Sequence, residues 1–220
     1  MSRIIAIGDI HGCSKTLRHL ISKTQLRKED SLVFIGDYVD RGPDSKGVVD
    51  YILELSRLGY ETHALRGNHE QIMLESDRDI EYFNLWLMNG GQQTLRSFGV
   101  KSFSEMEEKY RDFFQRTELY WISGNYIFVH AGLDFTTEDP FENEEAMLWI
   151  RGFEVMPEKI EGRTIIHGHT PVPASFVPTQ KNKRVIDIDA GCVYKTREGY
   201  GYLYALCLPE QEFIGVQNID

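Results

Sequence analysis

Leu32-Val33-Phe34-Ile35-Gly36-Asp37-Tyr38-Val39-Asp40-Arg41-Gly42 decides how the rest of this 220-residue chain reads. Four apolar residues in succession, stopped by glycine, predict a strand buried on both faces. Glycine lets the backbone turn sharply, and two carboxylates and a guanidinium follow at once. The same grammar stands on either side. Upstream, Ile4-Ile5-Ala6-Ile7 runs into Gly8-Asp9-Ile10-His11-Gly12; downstream, residues 60–65 run into Arg66-Gly67-Asn68-His69-Glu70. Between the first pair, residues 16–26 carry Leu17, Leu20, Ile21 and Leu26 close to helical spacing. Between the second, residues 44–58 line Val48, Val49, Ile52, Leu53 and Leu55 along one side, with Pro43-Asp44 suiting a helix start and Gly59 its end. The order βαβαβ predicts parallel strands joined by crossover helices.

In a parallel sheet the carboxyl ends of neighbouring strands lie together, and ligands bind in that crevice. Asp9 and His11 are two apart, so in an extended segment they point the same way. Asp37 ends the second strand, and Asn68 and His69 the third; His130 and His169 follow strand-like runs in the same manner. Carboxylate, amide and imidazole donors suit divalent cations. One Gly-Asp pair is usually a turn. The conjunction has no packing rationale, because buried carboxylates are costly unless a cation compensates them. Arg41 adds a planar fork that matches phosphate oxygens. The pattern points to a two-metal phosphoester hydrolase.

The remainder predicts a helical stretch over 68–88, broken near Asp77-Arg78-Asp79 and ended by Asn89-Gly90-Gly91, then an outer amphipathic helix over 104–116. Strands are expected at 126–129, 164–166, 184–188 and 201–208, with a weaker one at 213–216. These would form a second sheet that residues 185–208 complete. No linker or low-complexity segment interrupts the chain, so one domain, 1–220, is expected. Apolar residues make up 41%, ordinary for a globular protein. A net charge of -10 argues against a nucleic-acid-binding face. It does not exclude a phosphorylated substrate, since bound cations and arginines reverse the sign locally. Cys13, Cys192 and Cys207 form no CxxC pair and no disulfide framework, which suits a reducing compartment. Residues 1–7 are too short for a signal-peptide core, and no apolar run is long enough to span a bilayer. A cytoplasmic protein without membrane or nucleic-acid partners is expected.

GDIHG, GDYVDRG, RGNHE, His130-Ala131-Gly132 and His167-Gly168-His169-Thr170 occur in this order from Gly8 to Thr170. The series resembles that of the calcineurin-like metallophosphoesterases and, more narrowly, the phosphoprotein phosphatase family. The run Arg66-Gly67-Asn68-His69-Glu70-Gln71 and the later Asn89-Gly90-Gly91 look most like the small bacterial and bacteriophage serine/threonine protein phosphatases. The resemblance implies an α/β fold, a four-layer α/β/β/α sandwich of two mixed sheets. It also implies two divalent metal ions, manganese first, with iron or zinc as alternatives, about 3.5–4 Å apart. Asp9, His11 and Asp37 would hold one, and Asp37, Asn68, His130 and His169 the other. His169, rather than His167, matches the family's Gly-His pattern. Asn68, Arg41 and Arg151 would contact the substrate phosphate. His69 would act as general acid, oriented by Asp40, while a metal-bridging hydroxide attacks phosphorus.

The implied substrate is a phosphorylated protein or small phosphoester. A dinucleoside polyphosphate (diadenosine tetraphosphate) hydrolase shares these motifs and stays open, as does a non-catalytic scaffold. His19, His63 and Cys13 read as structural, and nothing fixes Arg66 or Arg96. Asp187 and Asp189 alternate with isoleucines at a strand end, where a role near the site stays open.

Overall fold

The three expected strands do lie side by side in parallel. In the computed structural model, which describes residues 3–220, β1 (Ile4–Ile7) pairs with β2 (Ser31–Phe34), and β2 with β3 (Glu61–Ala64). The crossovers are α1 (Ser14–Lys23) and α2 (Ser45–Arg57). Asp44 caps α2 by accepting from the Gly47 N–H at 2.9 Å. Helix α1 lacks such a cap, and the Asp220 carboxylate takes its place, accepting from the Lys15 and Thr16 N–H groups at 3.1 and 2.9 Å. First-turn N–H groups have no partner inside a helix, so an external carboxylate is stabilising there.

Helix α3 (Asn68–Glu75) begins at the third motif, and α4 (Ile80–Trp86) follows the expected break, capped by Asp79. The next expectation needs correction, because Asn89-Gly90-Gly91 does not end the helical path. Gly90 takes φ 106°, which kinks the path, and the chain resumes as α5 (Gln92–Phe98). Helix α6 (Glu108–Gln115) lies outside with Tyr110 and Phe114 buried. The strand β4 (Tyr120–Ser123), not anticipated, pairs antiparallel with β5 (Tyr126–Val129). After α7 (Glu144–Trp149) come β6 (Thr164–His167), β7 (Val185–Asp187), β8 (Asp189–Ala190), β9 (Tyr202–Leu208) and β10 (Glu212–Gln217).

The second sheet has the order β4-β5-β6-β7. A second correction concerns its completion. Strand β9 pairs antiparallel with β1, Ile4 facing Leu208, and β10 joins β9, so the first sheet runs β10-β9-β1-β2-β3 with β8 on β9. The reason lies in β1, which is buried throughout; without β9 its second edge would leave backbone groups unpaired in the core.

Period-two alternation sorts the side chains into layers. Ile5 and Ile7 pack with Leu17, Leu20, Val48 and Ile52 of the helices. Ile4, Ala6, Val33 and Ile35 meet Phe128, Ile166 and Ile186 between the sheets. Ile127, Val129 and Ile165 turn outward to Leu133, Phe135 and Met147. Helices, sheet, sheet and a thin layer containing α7 make the four-layer sandwich of two mixed sheets. The carboxyl ends of β1, β2, β3, β5 and β6 open onto one rim. Among the described residues, no helix is long and apolar enough to cross a membrane.

Candidate metal centre

Asp37 stands at the middle of that rim, 2% exposed. Its Oδ2 lies 3.4 Å from His11 Nε2, and its Oδ1 lies 3.6 Å from His130 Nε2. On the His130 side, Asn68 Oδ1 is 3.0 Å from both His130 Nε2 and His169 Nδ1. On the other side, Asp9 is held by the second sheet, its Oδ2 accepting from the His169 N–H at 3.1 Å. The structure therefore brings Asp9, His11, Asp37, Asn68, His130 and His169 together. Two overlapping groups, Asp9-Asp37-His130 and His11-Asp37-His69, place their donor atoms within 4.8 Å of one another.

The donor set fits a pair of cations. The Nδ1–H of His130 donates to Ile35 O at 3.1 Å, so its Nε2 carries a lone pair. That lone pair faces the oxygens of Asn68 and Asp37, an arrangement that repels unless a cation lies between. Ligands about 2.1 Å from an octahedral ion lie about 3.0 Å apart, the spacing seen around Asn68. His11 likewise donates Nδ1–H to Val39 O at 2.9 Å, and its Nε2 lone pair accepts from the positive Arg41 guanidinium at 2.7 Å. Asp9 Oδ1 and His169 Nε2 are buried and have no hydrogen-bond partner among the described residues.

The titration behaviour agrees. Burial pushes Asp9 well above the carboxylate range, and Asp189 and Asp37 add to it by repulsion. Burial takes Asp189 up to about 7. Burial also pushes Asp37 up, but His130, His69, His11 and His169 outweigh it and hold it low. Burial lowers His11 and His130, and takes His169 down to about 3. Bound cations would relieve the repulsion among the carboxylates.

His69 differs from the other rings. Its Nδ1 is 2.7 Å from Asp40 Oδ2, and its Nε2 points to the centre, 4.0 Å from Asp37 Oδ2. Burial lowers its pKa, but Asp37 and Asp40 together raise it above the ordinary value. Asp40 holds the ring at Nδ1, and Nε2 is left facing the centre, where it can carry a proton or a lone pair. Arg151 is exposed, just past α7, close enough for its charge to depress His130 and His169.

The rim is strained. His11, Asp37, Asp40, Arg41 and His169 all have positive φ, 46° to 71°, five of the nine such non-glycine residues described. Each costs on the order of 1 kcal/mol or more, and such residues persist only where the surroundings impose them. Here the first two motif loops pair: Ile10 and His11 N–H donate to Asp37 O at 3.1 and 2.8 Å. A residue not assigned from sequence, Glu70, clamps the second to the third. Its fully buried carboxylate accepts from the N–H groups of Asp37, Tyr38, Val39 and Gly67 at 2.8, 2.8, 3.3 and 2.9 Å. Gly67 and Gly168 are required by close approach, since a Cβ on either would run into the Asp37 or Asp9 carboxylate.

Other groups lie outside the centre. His167 is half-buried, with its ring 5.7 Å from that of Phe153. His63 stacks on Trp121 at 3.9 Å. Arg66 is tied to Thr117 and Gln71 at 3.0 and 3.1 Å. Arg96 is exposed on α5. Asp189, left open from sequence, is buried behind Asp9, and Trp86 and Thr94 reach Asp40 from α4 and α5.

Such a fold, with acidic and imidazole donors at one sheet rim, defines a hydrolase of phosphoesters. The family model described as calcineurin-like phosphoesterase matches residues 2–201, and the chain belongs to that family. Over 91 residues it is 45% identical to serine/threonine-protein phosphatase 1 of Salmonella typhimurium, covering 41% of this chain and 39% of that one. Over 243 residues it is 26% identical to the asymmetrical bis(5'-nucleosyl)-tetraphosphatase PrpE of Oceanobacillus iheyensis, covering 98% and 92%. In structure it is similar to a protein serine/threonine phosphatase from Saccharomyces cerevisiae. That match has TM-score 0.68 and 17% identity, and covers 100% of this chain and 81% of that one.

Proposed function

We propose that residues 1–220 form one catalytic domain, a two-metal phosphomonoesterase acting as a serine/threonine protein phosphatase. The observation that carries the two-metal reading is the position of Asp37, with one oxygen toward His11 and the other toward His130. Asp9, His11 and Asp37 would hold one cation; Asp37, Asn68, His130 and His169 would hold the second. Manganese is the first choice, with iron or zinc as alternatives. When bound, the pair supplies activation of water at neutral pH and neutralisation of phosphoryl charge. Arg41, already beside His11, and Arg151, on the exposed side, bind the phosphoryl oxygens, and Asn68 faces the same space. Arginine forks aimed at the charge that develops there stabilise the transition state. His69 gives its Nε2 proton to the leaving oxygen, and Asp40 keeps the ring oriented and protonated.

For the substrate, the 45% identity to the Salmonella phosphatase and the Gly67-Asn68-His69-Glu70-Gln71 run support a phosphoprotein. A second reading, a dinucleoside tetraphosphate hydrolase, draws on the near-full-length match to the Oceanobacillus enzyme. Metal-stripped protein re-supplied with manganese would be assayed against phosphoserine peptides and diadenosine tetraphosphate side by side. Faster turnover of the peptides is expected; much faster cleavage of the dinucleotide would replace the first reading with the second.

A further inference from the structure

The stretch after the third motif wraps back over the second one. Trp86 of α4 is fully buried and donates Nε1–H to Asp40 Oδ1 at 2.9 Å. Thr94 of α5, also fully buried, donates its hydroxyl to the same oxygen at 2.7 Å and accepts from the Asp40 N–H at 2.8 Å. Ser45 Oγ completes the network, 3.1 Å from Thr94 Oγ1 and 3.2 Å from Asp40 N. Between the two helices, Gly90 O accepts from the Arg41 N–H at 3.4 Å.

Two donors occupy Asp40 Oδ1, so the carboxylate cannot rotate without leaving both unpaired in a buried site. Oδ2 is left facing His69 Nδ1. The imidazole is thereby held at one nitrogen and presents the other to the centre, where Asp37, His11, Arg41, His130 and Glu70 are charged or titratable neighbours.

We propose that Trp86 and Thr94 are positioning residues for proton transfer, the kinked α4–α5 segment fixing through Asp40 the line along which His69 delivers its proton. The inference rests on the reading of His69 as proton donor. In that step the P–O bond breaks with its electron pair going to oxygen, which takes the Nε2 proton; water supplies the hydroxyl to phosphorus and releases its other proton to solvent, from which His69 is reprotonated. A residue that acts only by this route matters in proportion to the leaving group's need for a proton. Phenol, with a pKa like that of tyrosine, about 10, needs it. The more acidic p-nitrophenol needs it far less.

The test compares phenyl phosphate with p-nitrophenyl phosphate, using the manganese-loaded enzyme and its Thr94→Val, Trp86→Phe, Thr94→Ser and His69→Asn variants. Thr94→Val and Trp86→Phe are expected to lower kcat on phenyl phosphate on the order of 10–100-fold, the scale of partners behind a reacting group. KM should stay near the parent value, the loss on p-nitrophenyl phosphate should be several times smaller, and Thr94→Ser should restore activity. Equal losses on both substrates, or no loss on phenyl phosphate, would overturn the proposal. His69→Asn separates the two levels. A leaving-group-dependent loss there, absent from the Thr94 and Trp86 variants, rejects the positioning role alone. No such dependence at His69→Asn rejects the underlying proton-donor reading.

Discussion

Asp40 Oδ2 lies 2.7 Å from His69 Nδ1, and neither residue is more than 1% exposed. In the proposed mechanism this contact sets one imidazole among several apart as the proton donor. Burial lowers the His69 pKa, Asp37 raises it, and the Asp40 bond adds enough that the net shift is upward. Asp40→Asn removes one of the raising charges. In the proposed mechanism the protonated ring is the working form, and it is lost as pH rises through the His69 pKa. The alkaline limb of the kcat profile is therefore expected to move to lower pH. The maximal rate should fall by part of the roughly 10²–10⁴-fold that a general acid contributes. Steady-state rates across pH for parent and variant check this; an unmoved alkaline limb would mean that Asp40 does not tune His69.

Glu70 accepts from four backbone N–H groups in two motif loops. Burial, then repulsion from Asp37, pushes it up to about 8, and the backbone donors pull the other way. Glutamine has one acceptor oxygen, and its NH2 would face buried donors. Glu70→Gln is expected to destabilise the metal-free protein by about 2–4 kcal/mol, the cost of leaving two buried donors unmatched. Urea unfolding of the metal-free protein measures it. A variant as stable as the parent would show that the loops hold without this clamp.

Asp220 closes the amino end of α1, the helix that begins just past the first motif. It also accepts from the Thr16 hydroxyl at 2.6 Å. Asp220→Ala is expected to cost about 1 kcal/mol, as for other lost helix caps. The change should appear as a lower thermal midpoint, with metal content unaltered. No change in the midpoint would place the cap's contribution near zero.

Much of this site is legible in the chain because its donors sit immediately after strands. Asp9, Asp37 and Asn68 each follow a strand of the first sheet, and strand adjacency alone brings them to one rim; His130 and His169 follow strands of the second sheet, and the packing of the two sheets brings them to the same place. Glu70, Trp86 and Thr94 were not legible. Their partners are backbone N–H groups or one distant carboxylate, and such pairing leaves no periodic trace. Gly90 reads as a stop, because a glycine that kinks a helix and one that ends it look alike before the packing over Arg41 is known. The run that becomes β9 reads as a strand, but its alternation fits either sheet; only the open edge of β1 selects the first. The positive φ angles of His11, Asp37, Asp40, Arg41 and His169 follow from bonds between loops, not from residue type.

The most direct test is the anomalous scattering of manganese in crystals of the reconstituted protein. Two peaks are expected, about 3.5–4 Å apart, one on each side of Asp37, with Asp9 and His11 at the first and Asn68, His130 and His169 at the second. A single peak, or peaks that do not share Asp37, would contradict the two-metal centre.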